Sequence, residues 1–99
     1  MRLENSGIAG TMESSDVLVT LRPNPEKGIA IDIDSKVVAQ YGDEMRATVM
    51  EVMKQFGITD AAVELKDQGA LNCVIRARVQ TAACRALGVS YDWKGEDRK

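Results

Sequence analysis

The sequence predicts an α+β protein, a two-layer sandwich in which a four-stranded mixed sheet, β-β-β-α-β-α in chain order, carries two helices on one face. Two observations lead there. Ile29, Ile31 and Ile33 alternate with Ala30, Asp32 and Asp34, and such a period of two requires a strand with one buried and one wet face. Two other stretches, Val38 to Phe56 and Leu71 to Ala86, repeat apolar residues every three or four positions, the spacing of an amphipathic helix. A sheet with one apolar face and two helices with one apolar stripe each bury all three surfaces most economically by stacking.

In chain order, residues 1–6 form a polar lead-in without pattern and are expected to be flexible. The first two strands are expected at 7–12, where Ile8, Gly10 and Met12 alternate with Ala9 and Thr11, and at 17–22, where Val17, Val19 and Leu21 alternate with Leu18, Thr20 and Arg22. Pro23, Pro25 and Gly28 then signal a turn, and the isoleucine strand follows. Asp34 or Ser35 is placed to cap a helix whose apolar stripe is Val38, Tyr41, Met45, Val49, Val52 and Phe56. Gly42 weakens that helix by about 1 kcal/mol relative to alanine. Gly57 is placed as its left-handed stop, with Ile58 folding back on the last turn.

Ala61, Val63 and Leu65 mark a fourth strand, broken at Gly69. If it pairs with the third, the crossover through the helix makes the two parallel and the sheet mixed. The second helix starts near Ala70 with the stripe Leu71, Ile75, Val79, Ala82 and Ala86, widened by Cys73, Ala77 and Cys84, while Arg76, Arg78 and Arg85 read as its solvated margin. Residues 7–87 thus form a single domain and residues 88–99 a tail without period, in which Trp93 docks on the core or on a partner. Thr20, Arg22, Asp32, Asp34, Glu64 and Lys66 are expected in solvent, and Val19, Ile31 and Val63 inside.

Composition narrows the function classes. Ninety-nine residues suffice for one modest core. With 13 basic and 15 acidic residues the net charge is −2, and no basic stripe studded with aromatics is present, which argues against nucleic acid as a partner. No apolar run approaches the roughly 18 residues of a membrane span, and residues 1–5 (MRLEN) lack the apolar core of a signal peptide, so a cytoplasmic protein is expected. Histidine is absent, which removes the usual general base and any Ser-His or Cys-His pair. No catalytic residue and no metal ligand set is therefore assigned. Cys73 and Cys84 stand about 16 Å apart along one helix, too far for a disulfide and too few for a metal, and are expected to be buried, unreactive thiols.

The stretch Ala9 to Asp16, a short polar loop between two apolar runs, is the one chemically usable feature. Ser14 and Ser15 at a hairpin tip are either turn formers, through hydrogen bonds to nearby backbone, or hydroxyls accessible to a modifying enzyme. Three blocks bear on the choice: AGTMESSD at 9–16, YGDEMR at 41–46 and DQGALNCVIRARVQ at 67–80. In this order, within residues 8–87, they resemble the acyl carrier protein (gamma) subunit of citrate lyase.

That resemblance implies a carrier whose loop serine holds, through a phosphodiester, a 2'-(5''-phosphoribosyl)-3'-dephospho-coenzyme A arm ending in a thiol, so that the protein is a phosphoprotein of citrate fermentation. The position that matches the attachment site is Ser14, directly after Glu13. The next position in the family is often glycine, and here it is Ser15. The implied partners are the alpha subunit (acyl transferase), which exchanges bound acetyl for citrate, and the beta subunit (citryl lyase), which cleaves the citryl thioester to oxaloacetate. A prosthetic-group transferase and an acetate ligase are implied as maturation partners. The carrier of malonate decarboxylase, with the same kind of arm, is a close variant, and an unmodified α+β interaction or ligand-binding module is the alternative from another class. The four-helix carriers of fatty-acid synthesis bear their serine in a DSL motif, which is absent here.

Overall fold

A computed structural model describes residues 3–25 and 27–89. Strands β1 (Gly7–Gly10), β2 (Val17–Arg22), β3 (Ile29–Asp34) and β4 (Ala61–Asp67) and helices α1 (Val38–Gln55) and α2 (Asn72–Leu87) follow the expected order. The sheet runs β1-β2-β4-β3. β1 and β2 form an antiparallel hairpin, β2 and β4 are antiparallel, and β4 and β3 are parallel. The mixed sheet follows from the connections: a short loop joins only antiparallel neighbours, whereas a crossover carrying α1 returns the chain in the same direction. β4 thereby separates β2 from β3, although those two are consecutive in sequence.

One face of the sheet is dry. Ala9, Val17, Val19, Leu21, Val63 and Leu65 meet Met45, Val49, Val52 and Met53 of α1 and Ile75, Val79, Ala82 and Ala86 of α2, all buried. Helix α2 lies over β1 and β2, and α1 lies toward β3. The alanines of α2 permit a close approach. A Cβ on Gly7 would stand 2.1 Å from the Ala82 carbonyl oxygen and 2.7 Å from the Ala86 nitrogen, so β1 seats against α2 only because position 7 has no side chain.

Several expectations need correction. β1 ends at Gly10 rather than at residue 12, because Gly10 takes φ +97° and turns the chain toward β2. Ile31 is half-buried: the alternation of β3 has the expected phase, with Asp32 and Asp34 exposed, but β3 is an edge strand with one flank uncovered. Thr20, Glu64 and Lys66 are half-buried on the outer face because β2 and β4 are central strands whose neighbours shield them, while Arg22 is exposed. The stripe of α1 is buried at Met45, Val49 and Val52, Phe56 is half-buried, and Tyr41, one turn before Met45, is 54% exposed.

Cys84 is buried, and desolvation pushes its thiol pKa up, but Cys73 is exposed. Two residues are about 200° around a helix, so Cys73 and Ala77, each two from the buried Ile75, face solvent. Leu71 precedes the first turn of α2 in extended backbone and is 71% exposed.

Other details follow the sequence. Gly42 is buried inside an unbroken α1, and Gly57 (φ +68°) ends that helix with the Ile58 N–H donating to the Met53 carbonyl at 2.9 Å. Neither Asp34 nor Ser35 is the N-cap. Val37 occupies that position, and the Ser35 hydroxyl two residues earlier accepts from the Val37 N–H at 3.2 Å. The lead-in expected to be flexible has one fixed point, Leu3, which is buried and donates its N–H to the Asp60 carbonyl. Trp93 and the rest of 90–99 lie outside the described residues.

Candidate functional site

The loop joining β1 to β2 places Ser14 at a corner. The Asp16 N–H donates to the Glu13 carbonyl at 3.1 Å, closing a four-residue turn with Ser14 and Ser15 at its centre. Ser15 takes φ +66°, the only positive φ of a non-glycine residue among those described. A positive φ at the third position of a turn suits glycine, so a side chain at position 15 carries strain. The Ser15 backbone is nevertheless fixed, its N–H donating to the Gln68 carbonyl at 2.8 Å, while the Gln68 N–H donates to the Asp16 carbonyl at 2.9 Å. These two bonds extend the β2–β4 pairing beyond the strands and tether the loop to the end of the central strand.

Asp16 locks the loop from the other side. Its Oδ1 accepts from the Val17 N–H at 2.7 Å and from Arg78 Nε at 3.0 Å, and its Oδ2 accepts from Arg78 NH2 at 2.9 Å and the Thr11 hydroxyl at 2.7 Å. This two-pronged Arg–carboxylate fork fixes orientation as well as distance. The Arg78 hydrogen bonds, with those from Thr11 and Val17, hold the Asp16 carboxyl well below the usual carboxylate range. Thr11 also accepts the Glu13 N–H at 3.2 Å.

The two readings of the loop now separate by residue. Thr11 and Asp16 are the turn formers, their side chains spent on backbone and on each other. Ser14 and Ser15 are both exposed, and among the described residues no hydrogen bond engages either hydroxyl. A serine retained to shape a turn would use its oxygen locally. Ser14 instead presents a free hydroxyl at a rigid corner, beside a groove of about 310 Å3 that Lys36 and Gln68 also line. An activated donor can be delivered there by a separate enzyme, and the corner has room for a bulky adduct on the solvent side. The residues present therefore fit a covalently attached group.

Sequence reasoning missed the clamp. Arg76, Arg78 and Arg85 were expected to be a solvated margin, yet Arg78 grips Asp16, Arg85 donates to the Ile8 carbonyl at 2.7 Å, and Arg76 pairs with Glu51. No local pattern connects Asp16 with a residue 62 positions later. For Asp67 a signal existed: it continues the inward series Ala61, Val63 and Leu65, and an acidic residue on a buried face requires partners. It has them, accepting from the Ser35 hydroxyl at 2.8 Å and the Ala70 N–H at 2.9 Å. Among the described residues no group of His, Cys, Asp or Glu is arranged to hold a metal ion, and no helix is long and apolar enough to cross a membrane.

Comparison with known proteins bears on this site. The acyl carrier family described as the malonate decarboxylase delta subunit matches residues 4–86. The citrate lyase acyl carrier protein of Streptococcus mutans is 42% identical over 98 residues, covering 98% of this chain and 96% of that one. Its namesake in Haemophilus influenzae is 46% identical over 94 residues, covering 95% and 97%. A crystal structure of a Pseudomonas malonate decarboxylase hetero-tetramer in complex with malonate contains a chain similar in fold, with a TM-score of 0.58 at 20% identity over 83% of this chain and 84% of that one.

Proposed function

The chain belongs to the citrate lyase acyl carrier protein family, and on that premise we propose that Ser14 is its attachment point for a phosphoribosyl-dephospho-coenzyme A arm in a multi-subunit citrate lyase. The observation that carries this reading is the free Ser14 hydroxyl on a turn clamped by Asp16, Arg78 and Thr11. When bound, the arm supplies a thiol that carries acetyl and citryl groups as thioesters. The protein supplies a fixed anchor and the surfaces that other subunits read. The sequence contains no histidine, and this reading assigns both the loading of the arm and the acyl chemistry to separate proteins.

Those proteins are an acyl transferase (alpha) subunit, a citryl lyase (beta) subunit, a prosthetic-group transferase and an acetate ligase, all in the cytoplasm. An arm anchored at one corner raises the effective concentration of its thioester at each active site it can reach. The carrier of malonate decarboxylase remains a second reading because the family description and the solved neighbour both come from that enzyme. Identities of 40–46% to citrate lyase carriers favour the first.

The test is intact mass and peptide mapping after incubation with the prosthetic-group transferase and the activated arm precursor. Wild type and Ser15→Ala should gain the adduct on the peptide containing Ser14. Ser14→Ala should gain none while keeping its fold, since an exposed hydroxyl without a partner has little packing to lose. An adduct on Ser15, or one persisting in Ser14→Ala, would refute the assignment, and a bare chain throughout would favour an unmodified interaction module.

A further inference from the structure

The two edges of the sheet are unlike. β1 is four residues long, and Arg85 donates to its Ile8 carbonyl, so that edge is short and partly capped. β3 is six residues long and carries no proline, lysine or bulge. In a parallel ladder alternate residues turn both backbone groups toward the same neighbour. Ile29 lies opposite Ala61, whose N–H donates to the Gly28 carbonyl at 3.0 Å. That phase commits Ala30 and Asp32 to β4 and turns the N–H and C=O of Ile29, Ile31 and Ile33 outward, where among the described residues no hydrogen bond reaches them. The side chains flanking this open row differ by face. Toward the helices the three isoleucines are half-covered, and a hollow of about 570 Å3 at the start of β3 is lined by Ile29, Met50, Met53, Lys54 and Ile58. On the outer face Asp32 and Asp34 are exposed, with Asp32 across from Glu64 and Asp34 across from Lys66. Among the described residues none of these four forms an ion pair.

We propose that the β3 edge docks an extended segment of a partner subunit, paired strand to strand, in which basic residues alternate with apolar ones. The inference takes from the proposed function only that the chain works in a multi-subunit complex, and it holds whichever residue bears the arm. The backbone groups of Ile29, Ile31 and Ile33 supply the hydrogen bonds. Residues directly opposite each other in a sheet share a face. The incoming residues beside the isoleucines are therefore apolar, one of them entering the Met50–Ile58 hollow, and those beside Asp32 and Asp34 are lysine or arginine. Charge decides against a second copy of this chain: β3 paired with another β3 would gather the carboxylates of both on one face, and like charges across a pair destabilise it. Charged side chains on an edge commonly keep sheets from joining. Here they stand on the outer face rather than across the open row, so they exclude an acidic strand and leave the backbone accessible to a basic one. β4 and β2 stand between β3 and β1, so a strand docked at β3 leaves the Ser14 loop uncovered.

The test uses the full-length chain without its arm, mixed with the separate acyl transferase and citryl lyase subunits, and follows amide hydrogen exchange in β3 and β1. In the isolated chain the N–H groups of Ile31 and Ile33 should exchange as open-edge amides. On assembly with one of the subunits they should slow at least about tenfold, while β1 changes little. Asp32→Lys combined with Asp34→Lys should weaken that assembly at least about tenfold, because it sets like charges across the pair, with an unchanged urea midpoint. Asp32→Asn with Asp34→Asn, which removes the charge and keeps the shape, should weaken it by a smaller factor. Unaltered exchange at β3 in an assembled complex, or a lysine double variant that assembles as wild type does, would overturn the docking edge. So would slow exchange in the isolated chain, in which case light scattering tells a second copy of β3 from a segment of the same chain. A chain that joins neither subunit would overturn it as well, and loading at Ser14, measured separately, would stand or fall by itself.

Discussion

The half of the domain built from β1, β2 and α2 is closed, whereas the half built from β3 and α1 is open. In the closed half, glycine and alanine bring backbone within contact distance, Val17, Val19, Leu21 and Val79 are fully buried, and Arg78 and Arg85 stitch α2 to the hairpin. In the open half, Ile29, Ile31 and Ile33 are half-covered, Tyr41 and Met50 stand exposed, and two hollows lie along α1. The β1–β2 loop grows out of the closed half, and the groove beside Ser14 reaches Ser35, Lys36 and Val37 before α1. A carrier needs this division: an anchor that presents one oxygen in one place, and beside it a surface with apolar area to spare for something that comes and goes.

The largest effect should come from breaking the close approach. Gly7→Val puts a branched Cβ against the Ala82 carbonyl and the Ala86 nitrogen, and the obstacle is helix backbone that cannot rotate aside. The loss should exceed roughly 4 kcal/mol, which urea unfolding would register as a chain with little or no folded baseline.

Cutting the same kind of side chain from each half measures the difference directly. Leu21→Ala in β2 should cost about 2–5 kcal/mol, as a fully buried leucine does. Ile31→Ala on the edge strand should cost less, because part of its surface already meets water. Equal losses in denaturant midpoints would mean that the edge is closed in solution.

Removing the stitch without touching the core should alter function more than stability. Arg78→Ala deletes both prongs on Asp16 and leaves Thr11 and the Val17 N–H as its partners. The loop then samples several positions, and loading of the arm should slow by roughly tenfold, since small misplacements of a reacting atom are costly. Acid should act through the same carboxylate. Its folded pKa is depressed, so the stabilisation it gives is complete above the unfolded value, about 3.9, and is lost as pH falls below that toward the folded pKa. Wild-type loop amide shifts should therefore stay constant from pH 8 to 5 and move only in stronger acid. Movement between pH 5 and 8 would assign the clamp to another group.

The closed and open halves also differ in how legible they were. Period-two and period-four patterns located all six elements, because the burial of one face writes directly into residue order. What they could not convey was depth. Ile31 and Leu65 sit in equally clear alternations, and only strand order, with β4 inserted in the centre, makes one an edge residue and the other core. Cys73 was misplaced for a related reason: α2 begins at Asn72, and its inward face is set by Ile75 and Val79 rather than by Leu71. At the site, the proposal of Ser14 rests on the resemblance to a carrier loop. The residues that hold that loop, Arg78 and Gln68, are remote in sequence and carry no local pattern.

The smallest effect concerns the residue next to the proposed anchor. Ser15 bears φ +66°, a conformation that costs a residue with a Cβ about 1–2 kcal/mol and costs glycine almost nothing. Ser15→Gly removes that strain but also lets the unfolded chain roam more widely, at a cost of about 0.4–1 kcal/mol. The balance should be a gain near 0.5 kcal/mol, which for a domain of this size raises Tm by about 2–4 °C. The hydrogen bond from the residue 15 N–H to Gln68 survives the change, because it uses backbone alone. The clamp survives too, since Asp16 makes no bond to the Ser15 side chain. Loading at Ser14 should then continue at the wild-type rate in a slightly more stable protein. A loss of loading would show that the second hydroxyl takes part in attachment, and a fall in Tm would show that Ser15 is held in solution by a contact that offsets its strain.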